Sequence, residues 1–598
     1  MRLKIILVLF SLAWVALIVR VFYLAINHNA YYEDLSDKNT IKSDLTAPVR
    51  GEIIDRNNNP VAINKLGFKV EIAPHLSDED DTKLLDDELN FLVKYIPSLD
   101  KEKMKKIYLQ NNSYYNQDFI QVADFIPYDE MIPVYSILNL RENMHILSAP
   151  KRFYPFNDTA AHIIGYVSNA NQNDIDKDPL LSVVGTVGKN GIEKYYNTYL
   201  QGEVGERKIK VSAKNEEIAE LSHKAPIENK QLKLAIDMNL QQYITDMFQD
   251  EAGAVIVMDV NGAVLAAGSF PEYDLNSFTN GIPAQEWKDL IESQDKPFTN
   301  KLVNGLYPPG SVVKIGLGLI MITTAIDEYW NVHCNGSYVV SGRNFRCWKK
   351  DGHGDTSIRQ AIRESCDDFF YKASVKTGID TMSAGMLRYG FGTKTGVDLP
   401  NEFIGTVPNR EWKTKKFHQS WYIGETLNTA IGQGDFLVTP MQVAKFTALL
   451  ATGRLVTPHL VSKVGDRVIK PEFKEVLSPN EKKKIDFIRE GMYDACNAPH
   501  GTATQFLHTK VTIAGKTGTA QVVGISQATI KRAEELDMDY YSRSHAWMTT
   551  YGPYENPQYI VTVLVEHGGH GGHAAGDIVS KIYDKLLADH YIKDSNSK

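Results

Sequence analysis

From Ile5 to Ile26 the chain is apolar apart from Ser11 and Arg20. A helix rises about 1.5 Å per residue, so a helix over that stretch is roughly as long as the hydrocarbon core of a bilayer is thick. The run therefore predicts a transmembrane signal anchor over residues 5–26 and restricts every later domain to one side of a membrane. Arg2 and Lys4 precede it, which puts residues 1–4 in the cytoplasm and the rest outside. Asn27-His28-Asn29-Ala30-Tyr31-Tyr32 follows, with no small-x-small cleavage site, so the anchor is expected to be retained. Arg20 can snorkel to the outer interface or pair with a partner helix.

The chain has 598 residues, 43% of them hydrophobic, enough for several domains with real cores. Its net charge is −8 and its charge runs are short and mixed in sign, which excludes nucleic acid as a partner. Residues 27–233 read as an extended mixed α/β pedestal. Its punctuation is Arg50-Gly51 to Asp55-Arg56, Arg152 to Pro155, and Gly188 to Gly205. Between these, residues 76–140 are richer in charge and carry helical periodicity, as in Leu84-Leu85-Asp86-Asp87-Glu88-Leu89, and read as an inserted head lobe.

Residues 234–598 form the second domain. Ala254 to Gly268 reads as a hairpin turning at Asn261-Gly262. Ala546–Tyr551 and Tyr559–Val565 read as strands, with a closing helix over about 574–589. Strands at both ends with helices between predict an α+β domain: a central antiparallel sheet flanked by helices.

Three patterns fall inside it. Tyr307-Pro308-Pro309-Gly310-Ser311-Val312-Val313-Lys314 runs into an apolar stretch, which predicts a helix beginning at or just before Ser311 with Lys314 on the same face. Taken alone, this is more often a capped buried helix with a stray lysine. Ser365-Cys366-Asp367 comes second. Third is Lys516-Thr517-Gly518-Thr519, after the strand-like Val511 to Gly515. A serine attacking an amide needs a base, and a lysine serves when burial and a nearby cation lower its pKa. Lys516 can be that cation and attract a substrate carboxylate, assisted by Thr517 and Thr519, while Gly518 allows close backbone approach. Backbone N–H groups of Ser311 and Thr519 suit an oxyanion hole, and Ser365, held by Asp367, can relay a proton to a leaving amine. A second tripeptide, Lys394-Thr395-Gly396, sits in a Gly-rich loop and is read as a decoy.

Together these patterns are the set shared by β-lactamases and penicillin-binding proteins. With the pedestal segments, Gly432-Gln433-Gly434, Thr439-Pro440 and Gly501-Thr502-Ala503, the chain resembles a class B penicillin-binding protein over nearly its whole length. The resemblance implies a serine-type D-Ala-D-Ala transpeptidase that cross-links peptidoglycan stem peptides through an acyl-serine and is acylated by β-lactams. It needs no cofactor for that chemistry. Asp367 stands where the family's usual asparagine would be, and with Trp348 to Gly354 this looks more like the elongation-type penicillin-binding protein 2 than the septal type. Implied partners are stem peptides and lipid-linked glycan strands, a SEDS-family glycosyltransferase and rod-complex scaffold proteins. The implied location is the inner membrane, single-pass, with the catalytic domain in the periplasm.

Cys334, Cys347 and Cys366 with His353 match a closed tetrahedral zinc set, which would brace the segment carrying Ser365. The alternative is a Cys334–Cys347 disulfide with Cys366 a buried thiol. Cys496 reads as a buried thiol, and His567, His570 and His573 as a loop ending a strand. Rival functions are a membrane-anchored β-lactamase or carboxypeptidase using water, and a β-lactam-binding scaffold or sensor without turnover. Retention of Ser311, Lys314, Ser365 and Lys516, and a cytoplasmic tail with no room for a signalling domain, weigh against the scaffold.

Overall fold

The protein is described by a computed structural model over residues 2–27, 40–77, 82–116, 118–211, 217–248, 251–523 and 537–593. His28 to Tyr32, on which the retained-anchor reading rests, lie outside them. The chain divides into two compact units. One comprises Met1–Gly51, Asn169–Val187 and Thr198–Asn229. It holds the apolar helix Arg2–Phe22. Leu3–Ile26 is long and apolar enough to cross a membrane, and none of it is buried. The same unit has a three-stranded antiparallel sheet in which Gly205–Val211 lies between Ile41–Thr46 and Glu217–Lys224.

The other unit comprises Glu52–Ser168, Gly188–Asn197 and Lys230–Lys598. Within it, helices Lys83–Tyr95 and Lys101–Asn111 cover a sheet of Gly67–Ile72, Ile120–Pro127 and Met144–Ser148. Leu85, Leu89 and Leu92 recur at helical spacing and are fully buried, so one stripe of the first helix makes this small core. A separate sheet joins early and late segments: Leu232–Leu234 runs parallel to Ile53–Ile54 and antiparallel to Val461–Val464.

The remaining elements surround a five-stranded antiparallel sheet. In chain order they include β1 (Gly253–Asp259), β2 (Val264–Phe270), α1 (Lys314–Thr324), the hairpin β3 (Ser337–Val340) and β4 (Arg343–Arg346), and α2 (Asp367–Thr377). Then come α3 (Ile423–Ala430), α4 (Pro440–Thr452), α5 (Pro479–Asn497), β5 (Ala514–Ala520), β6 (His545–Gly552), β7 (Tyr559–Val565) and α6 (Gly571–Ala588). The sheet order is β2-β1-β7-β6-β5.

Both faces of this sheet are covered. Val255, Val257, Val561 and Val563 pack with Ile578, Val579 and Tyr583 of α6. On the other face Thr549 Oγ1 bonds Thr447 Oγ1 of α4 at 2.7 Å and Thr562 Oγ1 at 2.8 Å. Strands buried on two sides read as continuous apolar runs, which is why Ala254 to Met258 lacks alternation. Among the described residues β5 pairs only with β6, so its other edge has no strand partner.

Candidate active site

Pro308 and Pro309 break the incoming chain, and Gly310 takes φ +55°, a left-handed conformation that favours glycine. A Cβ there would stand 2.7 Å from Thr519 O. Gly310 N donates to Gly432 O at 2.9 Å. Ser311 thus sits in a 3-10 turn, Gly310–Val313, that feeds α1, wedged between the Gly432 loop and the β5 edge. The sequence predicted a helix at or before Ser311; the α-helix proper begins at Lys314.

Lys314 is fully buried, and its Nζ donates to Ser365 O at 2.9 Å, Ser365 Oγ at 3.3 Å and Asp367 Oδ1 at 2.7 Å. Those bonds use its three donors. Among the described residues no hydrogen bond joins it to Ser311 Oγ. Asp367 was expected to hold Ser365; instead its Oδ1 pairs with Lys314 and its Oδ2 accepts from Trp348 N at 2.9 Å. A carboxylate here is favoured by its place in the first turn of α2, where helix N–H groups are unsatisfied. Ser365 has φ +55°, strain of order 1 kcal/mol for a residue with a side chain, held by the short connection into α2.

Lys516 lies in β5 opposite Thr549, and so on the face toward α4. It is fully buried with Nζ donating to Thr517 O at 2.8 Å. Burial, and then the nearby Lys314 charge, push its ammonium well below the usual lysine range, with Asp367 opposing. Thr517 Oγ1 donates to Thr502 Oγ1 at 2.8 Å, and Thr519 Oγ1 accepts from Gly571 N at 3.4 Å. A Cβ on Gly518 would lie 2.9 Å from Val312 Cγ1 and 3.1 Å from Pro309 O, so the strand rests directly on the Ser311 turn.

Ser311, Ser365, Asp367 and Thr517 to Thr519 line one cleft of about 1160 Å³. Asn428 and Gln433 line it too, and Gln433 Nε2 donates to Thr519 O at 3.3 Å. Gln433 belongs to a glycine-flanked triplet the sequence does flag; Asn428 carries no local signal. Nor does the layer behind Ser311. There Tyr307 OH donates to Glu566 Oε1 at 2.5 Å, and Lys301 Nζ lies 3.2 Å from Glu566 Oε2. Burial and the Glu566 charge raise the Tyr307 hydroxyl well above its usual pKa. Trp547 Nε1 donates to Pro308 O at 3.2 Å, closing the packing under the turn.

Cys334, Cys347, His353 and Cys366 bring their ligand atoms within 4.8 Å of one another, with all four cysteines of the chain free thiols. His353 Nδ1 is 3.5 Å from both Cys334 Sγ and Cys347 Sγ. The three late histidines do not converge: His567 packs on His545 and Tyr541, and His573 on Phe506.

The family model described as the penicillin-binding protein transpeptidase domain matches residues 253–584, and that of the penicillin-binding protein dimerisation domain matches residues 45–234. A curated relative, the peptidoglycan D,D-transpeptidase MrdA of Haemophilus influenzae, is 33% identical over 96% of this chain and 89% of its own. The solved complex between penicillin-binding protein 2 (PBP2) and MreC from Helicobacter pylori aligns with TM-score 0.84 and 42% identity, covering 92% of this chain and 99% of that one. A solved peptidoglycan synthase complex, described for its structural coordination of polymerization and crosslinking, aligns with TM-score 0.71 and 25% identity, covering 100% of both chains. With the motifs, the fold and these relatives in agreement, the chain belongs to the class B penicillin-binding proteins, most like the elongation-type penicillin-binding protein 2.

Proposed function

We propose that this chain is a peptidoglycan D,D-transpeptidase of wall elongation, carrying its chemistry on Ser311. Ser311 Oγ adds to the penultimate D-Ala carbonyl of a stem pentapeptide while its proton passes to the neutral form of Lys314. Asp367 holds that nitrogen in place and stabilises the ammonium that results. Backbone N–H groups of Ser311 and Thr519 receive the oxyanion. Ser365, bonded to Lys314, passes its proton to the departing D-Ala amine and takes one back from the Lys314 ammonium, leaving the acyl-serine. An amine of a neighbouring stem then adds to this ester and Ser311 recovers its proton. Lys516, Thr517 and Thr519 receive the terminal carboxylate, whose charge offsets the burial that disfavours the Lys516 ammonium. β-Lactams acylate the same serine.

The observation that carries this reading is the meeting of Lys314, Ser365 and Asp367 through bonds of 2.7–3.3 Å beside the Ser311 turn and an unpaired strand edge. The test is intact-mass analysis of the full-length chain in detergent with a fluorescent penicillin. Wild type gains one adduct and Ser311→Ala gains none. If wild type stays unlabelled, the transpeptidase reading falls and a non-catalytic scaffold replaces it.

Cys334, Cys347, His353 and Cys366 offer three thiolates and one imidazole, the donor chemistry of a closed structural zinc site. We read the cluster as holding zinc, which would fix the segment carrying Ser365 and take no part in acyl transfer. The apolar helix would anchor the chain once in the inner membrane with the cleft in the periplasm. A SEDS-family glycosyltransferase and rod-complex scaffold proteins are the proposed partners, supported by relatives solved with MreC and in a peptidoglycan synthase complex.

A further inference from the structure

Charge among the described residues that line the cleft is not balanced. Their carboxylates are Glu364 and Asp367. Both are already neutralised from within: Asp367 by Lys314, Glu364 by Arg363 and by Lys349 at 4.0 Å. Arg343 also lines the cleft, and among the described residues no carboxylate reaches it. It opens the run Arg343-Asn344-Phe345-Arg346-Cys347-Trp348-Lys349-Lys350, a cationic stretch in a chain of net charge −8. A cleft left positive in an acidic protein selects an anionic ligand.

The arginine stands on a built platform. Its guanidinium lies 5.4 Å from the centre of the Phe345 ring. Phe345 is only 7% exposed and packs with Tyr371 of α2 and Leu427 of α3. Tyr371 OH donates to Arg346 O at 3.4 Å, and the Trp348 N bond to Asp367 ties the hairpin base to the Lys314 network. This hairpin is therefore a fixed wall of the cleft on the side of Ser365 and Asp367, while Thr517 to Thr519 line it from β5.

We propose that Arg343 is a substrate-recognition residue that binds a carboxylate of the stem peptide on the N-terminal side of the scissile bond, distinct from the terminal carboxylate assigned to β5. The inference rests on the transpeptidase reading above. A planar guanidinium backed by an aromatic ring suits paired hydrogen bonds to a carboxylate. Stem peptides present that chemistry at a γ-linked glutamyl residue and, in some walls, at the diamino acid that follows it.

The test uses the full-length chain in detergent and soluble pentapeptides whose terminal D-Ala release is followed. One peptide keeps both internal carboxylates, one has the glutamyl carboxylate amidated, and one has the diamino-acid carboxylate amidated. Wild type loses about tenfold in kcat/KM on one of the two amidations, and which one identifies the group bound. Arg343→Gln treats acid and amide alike to within about twofold, Arg343→Lys keeps part of the preference, and Arg343→Glu prefers the amide. Each acid-to-amide ratio is internal to one protein, so a reduced folded fraction cancels. Equal rates for all three peptides with wild type overturn the proposal, as does a wild-type ratio in Arg343→Gln. If wild type releases no D-Ala and takes no penicillin, the transpeptidase reading itself fails and the subsite with it.

Discussion

Lys-Thr-Gly occurs three times in the chain; one copy, Lys376-Thr377-Gly378, merely ends α2, and the other two live in opposite circumstances. Lys516-Thr517-Gly518 runs along the edge strand β5, its lysine fully buried and its far edge open to the cleft. Lys394-Thr395-Gly396 turns through a loop, its lysine exposed and Gly396 at φ +85°. In the loop, Thr395 N and Gly396 N donate to Glu402 at 2.6 and 3.2 Å, and Lys445 Nζ donates to Thr395 O at 2.8 Å. A carboxylate from the same chain thus occupies the loop tripeptide, whereas the strand tripeptide is proposed to wait for one from substrate. What separates them is the backbone's prior commitments, which three letters of sequence do not carry.

The sharpest way to break this contrast is to remove each lysine. Lys516→Ala should slow acylation by penicillin about 10³-fold or more, and Lys394→Ala should change it less than about twofold, as read by adduct formation over time. Equal losses would end the distinction. A smaller difference is expected from the glycines. Gly518→Ala forces a methyl against Val312 and Pro309 and should slow acylation about 10- to 100-fold with a loss of roughly 1–3 kcal/mol in thermal unfolding. Gly396→Ala strains a left-handed position, costing about 1 kcal/mol while leaving acylation intact.

The last effect, which leaves acylation aside, is one of pH. Burial holds Lys445, the loop's lysine neighbour, at about 8. Unfolded it titrates near 10.4, so between those values the unfolded chain binds more protons and stability rises with pH. Relative to Lys445→Met, wild type should therefore gain up to about 3 kcal/mol between pH 8 and pH 10.4, measured by denaturant unfolding, with no change in the difference below pH 7. A flat difference would mean that Glu402 keeps Lys445 charged throughout.

Local chemistry was the legible part. Ser311, Lys314, Ser365, Asp367 and Lys516 stand out because turn breakers, apolar runs and hydroxyls lie next to one another in the chain, and the cysteine–histidine set because its residue types are rare. The strands β1, β2, β6 and β7 and the helix α6 follow from apolar runs and an Asn-Gly turn. Contacts between distant segments were not legible. Nothing local tells that Asp367 binds Lys314 rather than Ser365, since that depends on where the Trp348 backbone arrives. Glu566 is a single acid after an apolar strand, and only the folded sheet brings it to Tyr307 and Lys301. The 3-10 turn at Ser311 comes from Gly310 being pinned by Gly432 and Thr519, residues far along the chain.

The order of the central sheet bears on how such a protein is made. Val255 of β1 pairs with Val563 of β7, and Lys516 reaches the sheet only through Thr549 of β6. The first strands of the domain thus have no inner neighbour until its last ones have been synthesised, a non-local arrangement that folds slowly. During synthesis the Ser311 segment emerges long before the strand it rests on. A chain stalled short of β7 would carry Ser311, Ser365 and Lys516 and still lack the strand that joins β6 to β1.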